Sequence, residues 1–468
     1  IMSGIKSVLC IGAGRVGAAT TIALANKCPS IKFTVFDDDI DRISTWSSGT
    51  CPFFEPGLKS LLNDVLGKNL FFTHDLQRAI EESEVVFVSL NTPTKTFGEG
   101  AGRAPDLTGW ENAARRIAKH ANGSKIIVES STIPVRTGEA MRRVLDAQER
   151  GFSFEVVCFP SFIRGSSAVA DLENPERILI GSDSTESGQA AAEKIISLFS
   201  WVPREKIVTT NLWSAELSKL ALNAYVACRI SSTNAVSALC EETGAQLSEV
   251  MGAVGADSRL GNAFLHPCPG FGGACLRQNL LTLVYLCQHF GLAEVAEFWE
   301  HVLAMNEYQK TRFSRTILRE MASVQNKNIA VLGFAYKKGT NDTRESPASD
   351  ICRALAEERA NLRIYDPQVT RTAILGELKD TPVPAEVCPS AKEACQGAHA
   401  VIVLTEWDEF RDLPWAELYA SMEKPAHVFD SRDILPAAAL RGLGFHVYTI
   451  GRPPPATTAT TAPFGATA

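Results

Sequence analysis

Short, wholly apolar runs alternate with amphipathic stretches through the first part of the chain. Val8–Ile11, Phe33–Phe36, Val85–Leu90, Lys125–Val128 and Glu155–Cys158 read as strands. Continuous apolar character, rather than alternation, is what a parallel sheet covered on both faces requires. Between these runs apolar residues recur every three or four positions, as in a helix, and one such pattern runs through Ala25. The same grammar returns near the C-terminus at Lys327–Leu332, Leu362–Tyr365, Ala400–Leu404 and Ala426–Phe429, with a helix opened by Thr343–Pro347 and ending near Glu358. From Trp213 to Glu241 the pattern is helical throughout and holds neither Pro nor Gly, and Gln278–Cys287 resumes a helix. A helix that long bridges domains or forms a subunit interface. The expected fold is therefore α/β: two Rossmann-like doubly wound domains, residues 1–205 and 321–452, joined by a long central helical region, 206–320. Residues 453–468 are rich in Pro and Thr and lack periodicity, and are expected to form a disordered tail.

The punctuation between elements carries the first chemistry. Gly12-Ala-Gly14-Arg-Val16-Gly17 follows a strand, opens a helix, and precedes the acidic residue Asp37 at the end of the next strand. In that context the fingerprint reads as a dinucleotide site. Gly12 permits the tight turn, Gly14 lets backbone approach a pyrophosphate, and Gly17 lets the helix pack on the strand. Asp37 suits ribose hydroxyls and repels a 2′-phosphate, so NAD is expected over NADP. Asp38 and Asp39 reinforce that charge, while Arg42 offsets it slightly and joins the cofactor set. Polar loops follow two later strands, Asn91–Thr96 with Thr92, and Ser130–Pro134 with Thr132. Such loops lie where an open parallel sheet binds its ligand. Thr132 can touch the nicotinamide or a reacting hydroxyl, or can serve only as a turn residue before Pro134.

In the middle of the chain Lys219 and Asn223 lie four apart, on one helical face, and can donate to a developing oxyanion. Further on, Asp257–Asn262 and the irregular loop His266–Gly270 lead into Gly270-Phe-Gly-Gly-Ala-Cys275. A cysteine after a Gly-rich turn is open to close approach. It suits covalent attack on a carbonyl, or else is a structural thiol beside a tight turn.

Composition narrows the partners. A net charge of −7 argues against non-specific binding to nucleic acid or an anionic membrane. No apolar run approaches the roughly 18 residues of a membrane span. Twelve cysteines fall singly, with no C-x-x-C pair, and the chain as given begins without a basic leader or secretory core. These features lead to the expectation of reduced thiols in the cytoplasm. The eight histidines form no ligand-spaced cluster, so no metal is expected.

Several stretches, taken together, resemble the UDP-glucose/GDP-mannose dehydrogenase family, and within it the UDP-glucose 6-dehydrogenase type, over about residues 5 to 452. They are Ile11–Gly14, Asn91–Thr96, Ser131-Thr132, Trp201–Ile207, Glu216–Lys219, Phe271–Cys275, Asp342–Ser346 and Thr405–Asp408. The resemblance implies an NAD-binding domain, a central helix carrying a dimer contact in a homo-oligomer built on dimers, and a UDP-binding domain. It also implies that the C6 alcohol of UDP-glucose is oxidised twice, by two NAD, through a thiohemiacetal and a thioester. Cys275 matches the nucleophile, Lys219 and Asn223 the oxyanion donors, and Thr132 a residue at the hydride-transfer site. Arg344 and Asp37 match cofactor contacts. Arg259 matches an arginine that reaches the neighbouring subunit's sugar nucleotide, and Phe271, Gly272 and Arg432 complete the substrate set.

The departures gather at the same site. Where the family has N-P-E-F-L-x-E-G this chain has Phe159-Pro-Ser161-Phe-Ile-Arg-Gly165-Ser166, without either carboxylate. Where the family has C-x-x-K-D it has Cys275-Leu-Arg-Gln278-Asn279. His266 replaces a usual Lys, and Gly339 a common Asp. An amide such as Asn279 accepts no proton at neutral pH. Three readings remain open at this point: a working dehydrogenase with altered thioester hydrolysis, a family member that only binds NAD or UDP-sugar, or a repurposed enzyme acting on another substrate.

Overall fold

A computed structural model describes residues 4–147 and 151–453. The expected tail lies outside the described residues apart from Pro453. The chain divides into two compact units, one of residues 1–224 and 278–299, the other of residues 225–277 and 300–468. The helical middle is thus shared between them.

The first unit is built on eight strands: β1 (Ser7–Ile11), β2 (Lys32–Phe36), β3 (Leu70–Thr73), β4 (Val85–Val88), β5 (Lys125–Glu129), β6 (Phe154–Cys158), β7 (Ile178–Ser182) and β8 (Ile207–Asn211). Their order across the sheet is β3-β2-β1-β4-β5-β6-β7-β8, parallel except where β7 runs antiparallel to β6. All four residues of β4 are buried, as its unbroken apolar run requires. Three strands of this sheet go unread in the sequence: β3 and β8 are short edge strands with mostly exposed or half-buried residues, whereas β7 is buried throughout and its run Ile178-Leu-Ile ends at once in Gly181-Ser182. Two helices of this unit bear on function, α1 (Arg15–Lys27) and α2 (Thr137–Asp146).

The central segment begins with α3 (Leu212–Thr243), a single helix of 32 residues. α4 (Leu247–Gly255), α5 (Ala274–His289) and α6 (Ala293–Met321) follow. The sequence places the start of the α5 helix at Gln278, whereas it begins at Ala274. Gly273, at φ 81°, ends the glycine turn, and Ala-Cys-Leu-Arg then continues as helix. Cys275 therefore sits in a first helical turn.

The second unit repeats the doubly wound plan with β9 (Asn328–Leu332), β10 (Asn361–Tyr365), β11 (Glu386–Val387), β12 (Ala400–Val403), β13 (His427–Asp430) and β14 (His446–Thr449). All are parallel, in the order β11-β10-β9-β12-β13-β14. The helix α7 (Pro347–Glu357) starts with Ser346 as its cap, the side chain accepting from the Ala348 N–H. No described helix is long and apolar enough to cross a membrane.

Candidate active site

In the first unit the strand ends converge on the glycine fingerprint. Gly12 has φ 111°, and a Cβ there would lie 2.2 Å from the Ser89 carbonyl oxygen, so only glycine fits. A Cβ at Gly17 would lie 2.2 Å from the Gly12 carbonyl, which fixes how closely α1 packs on the turn. In front of Gly14 there is open space, and Gly14 caps α1 without any side-chain hydrogen bond. The first N–H groups of α1 follow directly on this open turn, and a helix N-terminus of that kind suits a pyrophosphate. Val16 lies half-buried on the same turn.

Asp37 is held in place from below. Its Oδ2 accepts the Ala13 N–H at 2.8 Å and the Arg42 guanidinium at 3.0 Å, and its Oδ1 accepts the Asp39 N–H at 3.0 Å. Arg42 is also paired with Asp39 at 3.1 Å. With its charge matched by two carboxylates, Arg42 has little left to attract a 2′-phosphate, whereas Asp37 Oδ1 retains accepting capacity for a ribose hydroxyl. The residues present fit NAD.

The loops after β4 and β5 are tied together beside this turn. The Thr92 hydroxyl donates to the Thr132 carbonyl at 3.0 Å, and the Ser131 hydroxyl to the Leu90 carbonyl at 2.7 Å. On α3, Lys219 is half-buried with its ammonium 5.2 Å from the Phe162 ring centre, and Asn223 is buried one turn further. Ser161 and Asn279, at two of the altered positions, are both buried. The Ser161 hydroxyl, the Asn279 amide nitrogen and that of Gln278 have no hydrogen-bond partner among the described residues. Such unmet buried groups are costly, and none of the three is a proton acceptor of carboxylate strength.

In the second unit the glycine turn is clamped on two sides. Asn306 of α6 accepts the Phe271 N–H at 2.7 Å and donates to the Phe271 carbonyl at 3.1 Å. Gln309 donates to the Cys268 carbonyl at 2.8 Å, and the Gly273 N–H reaches the Arg344 carbonyl at 3.0 Å. A Cβ on Gly272 would stand 2.6 Å from the Glu345 carbonyl oxygen. Phe271 and Gly272 are therefore buried supports of the turn. Cys275 emerges from it as the one exposed cysteine among the described residues.

Arg344 donates from Nε and Nη2 to Asp342 at 2.9 and 2.7 Å. A cavity of about 610 Å³ opens beside this segment, lined by Ala274, Arg277, Lys310, Arg344, Asp350 and Arg353 among others. Arg277 faces Glu345 at 3.5 Å, and buried Lys310 is paired with both Glu307 and Asp350 at 3.0 and 2.8 Å. Arg259 stands apart, with 86% of its side chain exposed, against Asp257 at 2.6 Å. Arg432 donates to the Leu404 and Tyr336 carbonyls at 2.8 and 3.0 Å and pairs with Glu406 at 3.3 Å. Its guanidinium fastens the strand ends of the second sheet.

That sheet has its own aspartate at the place equivalent to Asp37. Asp366, just past β10, accepts the Phe334 and Ala335 N–H groups and the Trp407 indole on Oδ2, and the Gln368 and Val369 N–H groups on Oδ1.

Two acids of the first unit went unnoticed or unused in the sequence. Glu129 ends an apolar strand, and Glu216 opens the polar face of α3. Glu216 accepts the Arg136 and Gly138 N–H groups at 2.7 and 2.9 Å. A charged residue closing the run Ile126-Ile-Val was the available signal.

Three domain families match the chain in order. Residues 6–200 match the NAD binding domain of the UDP-glucose/GDP-mannose dehydrogenase family, 213–308 its central domain and 330–437 its UDP binding domain. A UDP-glucose 6-dehydrogenase of Glycine max is 48% identical over 465 residues, covering 95% of this chain and 97% of its own length. One from Arabidopsis thaliana matches at the same identity and coverage. The structure of a UDP-glucose dehydrogenase from the archaeon Pyrobaculum islandicum aligns with a TM-score of 0.83 at 25% identity, over 95% of this chain and 98% of that one. Two doubly wound sheets, a glycine fingerprint shaped for NAD and a clamped turn presenting a cysteine thus belong to one lineage, and the chain is a member of the UDP-glucose/GDP-mannose dehydrogenase family.

Proposed function

We propose that this chain is an NAD-dependent dehydrogenase that oxidises the C6 hydroxyl of UDP-glucose towards the carboxylate, with Cys275 as covalent nucleophile. The observation that carries the reading is Cys275 itself, exposed on the first turn of α5 at the end of a loop whose backbone Asn306 holds on both sides. The relatives at 48% identity supply the substrate class. The functional division into residues 1–205, 206–320 and 321–452 forms part of the reading.

NAD, when bound, accepts the hydride of each oxidation. Gly12, Gly14, Val16, Gly17 and the free end of α1 would hold its pyrophosphate, Asp37 with Arg42 its ribose, Thr92 and Thr132 its nicotinamide side, and Arg344 a further contact. Lys219 and Asn223 serve the reacting oxygen by donating hydrogen bonds as negative charge grows on it. At the aldehyde stage the Cys275 sulfur bonds to C6 and the carbonyl electrons move to oxygen, giving a thiohemiacetal. Loss of a second hydride leaves a thioester. Attack by water on C6 then breaks the C–S bond, returning the thiolate and freeing the carboxylate. Phe271 and Gly272 shape the sugar side, with Arg259 and Arg432 assigned to the sugar nucleotide.

Ser161, Gly165, Gln278 and Asn279 offer this last step no carboxylate base. A positioned base contributes typically ~10²- to 10⁴-fold, so release of the product is the slow step in this reading. Exposed Trp213, Leu217, Tyr225 and Leu239 along α3 support a homo-oligomer built on paired helices. Twelve unpaired cysteines support a reducing, cytoplasmic setting.

The test is to mix the protein with UDP-glucose and NAD, following NADH and intact protein mass together. Two NADH for each UDP-glucuronate released support the full reaction. One burst of NADH with a sugar-nucleotide adduct on Cys275 supports a stalled thioester. No NADH from any UDP-sugar, with NAD still bound, would sink the reading.

A further inference from the structure

The mechanism leaves one buried acidic cluster in the first unit without a task. Glu129 closes β5 where the chain enters the Thr132 loop, and its side chain is wholly buried. Neither of its carboxyl oxygens has a hydrogen-bond partner of good geometry among the described residues, and the nearest donor is the weak Cys158 thiol. Glu216, on the first turns of α3, is 2% exposed. The two acids meet at Gly138. Its N–H donates to Glu216 at 2.9 Å, while a Cβ built on it would lie 2.8 Å from Glu129 Oε1. From the remaining elements the pair is faced by Cys158, the partner of Glu129 across β5 and β6, and by Glu139 of α2. The Arg136 guanidinium is paired with Glu139 instead, at 3.3 Å.

Two carboxylates buried together without a cation cannot both remain ionised, because desolvation and mutual repulsion each favour protonation of one. A carboxylate can only accept. Once protonated, Glu129 gains a strong donor where its surroundings offer only the weak Cys158 thiol, and Glu216 is the acceptor within the cluster. We propose that Glu129 and Glu216 hold one proton between them, and that this hydrogen bond fastens the Thr132 loop to α3. Both ends of the loop then converge on one side chain: Glu129 through the shared proton, and Arg136 and Gly138 through their N–H groups. Glu216 stands three residues before Lys219 on the same helix. The pair is thus a positioning device that registers the Thr132 loop against the helix bearing Lys219 and Asn223. The direction of titration agrees, since burial and the neighbouring acid hold the Glu129 carboxyl well above the usual range. Burial also raises Glu216, against the two N–H groups that lower it. At alkaline pH the proton is lost, the two charges repel, and the loop loses its anchor.

Only the activity readout rests on the proposed function; the shared proton does not. In the wild-type protein without substrate, infrared difference spectroscopy at neutral pH should show a protonated carboxylic acid that is absent from Glu129→Gln. That amide keeps the shape and the donor but cannot ionise. Its kcat should stay within about threefold of wild type, and its alkaline decline in kcat and in thermal midpoint should flatten. Glu129→Ala should lower kcat at least ~10-fold at neutral pH, a deficit that narrows as the wild type loses its own anchor at alkaline pH. If Glu129→Gln is as impaired as Glu129→Ala, or the wild type shows no protonated acid at neutral pH, the shared proton is refuted. A protein inert towards UDP-glucose that still shows the acid band and the pH-dependent midpoint would overturn the proposed activity and leave this inference standing.

Discussion

Gly272→Ala tests whether the cysteine turn is built as tightly as its contacts indicate. The new methyl group would stand 2.6 Å from the Glu345 carbonyl oxygen, 2.8 Å from Tyr336 Cβ and 2.9 Å from Pro347 Cδ. All three are backbone atoms or atoms bonded to backbone, so none can swing aside by a rotamer change. The turn must instead move away from the 342–347 segment, against the Asn306 clamp on Phe271. Overpacking of this kind costs about 1–3 kcal/mol, and three rigid neighbours place the expected loss near ~3 kcal/mol, about a hundredfold in the folded-to-unfolded ratio. Cys275 lies three residues on, and a displacement on the order of 1 Å at a reacting group costs ~10²-fold in rate. Urea unfolding gives the first figure. The NADH burst and the rate of alkylation of Cys275 give the second, separating displacement from unfolding. Gly252 in α4 is the control: nothing lies within 4 Å of a Cβ there, so Gly252→Ala should stabilise by about 0.5–1 kcal/mol. A Gly272→Ala protein with wild-type urea midpoint and wild-type kcat would refute the steric reasoning.

Three further outcomes follow from the geometry. Ser161→Glu combined with Asn279→Asp should raise steady-state release of UDP-glucuronate at least ~10-fold, read as NADH formation after the burst; no gain would mean that the sugar site itself differs. Asp37→Ser removes the ribose acceptor and one of the two carboxylates that hold Arg42, so KM for NAD should rise about 10-fold while KM for NADP falls, as initial rates with each cofactor will show. His427 is held down to about 4, from an ordinary 6.5, by burial and by the positive charge of His446 and Lys327. A base whose folded value is depressed favours unfolding when it gains a proton, so stability is lost as pH falls from 6.5 towards 4. His427→Phe should therefore resist acid better than wild type by roughly 1–2 kcal/mol after allowance for its partial exposure, with equal urea midpoints at neutral pH.

Both sheets were legible because their central strands are buried on two faces and so read as unbroken apolar runs. β4 is the clearest case. The edge strand β8 was not, since exposure lets it end in Thr209, Thr210 and Asn211, and the apolar runs of β3 and β7, only three residues long, went unread although β7 is buried throughout. Gly12 and Asp37 could be read from spacing because the turn admits only one residue type at Gly12 and the strand end fixes the other. Asn306 could not be read: its task is to bond the backbone of Phe271, a partner 35 residues away, and an asparagine inside a helix carries no local sign of that. Glu129 did carry a local sign, a charge closing the apolar run Ile126-Ile-Val, but its meaning depends on Glu216 lying beside it.

Asp37 and Asp366 occupy the same topological position in two sheets that share the order of their first six strands. Five donors converge on Asp366, whereas Asp37 keeps an open acceptor. An adenosine ribose offered to the second sheet finds every acceptor on that aspartate already committed. The saturation of one carboxylate thus leaves the first sheet, and not the second, with a strand-end aspartate able to take a ribose diol. An adenosine-mimicking inhibitor should accordingly occupy the first sheet alone, and displacing NAD with one should leave UDP binding untouched.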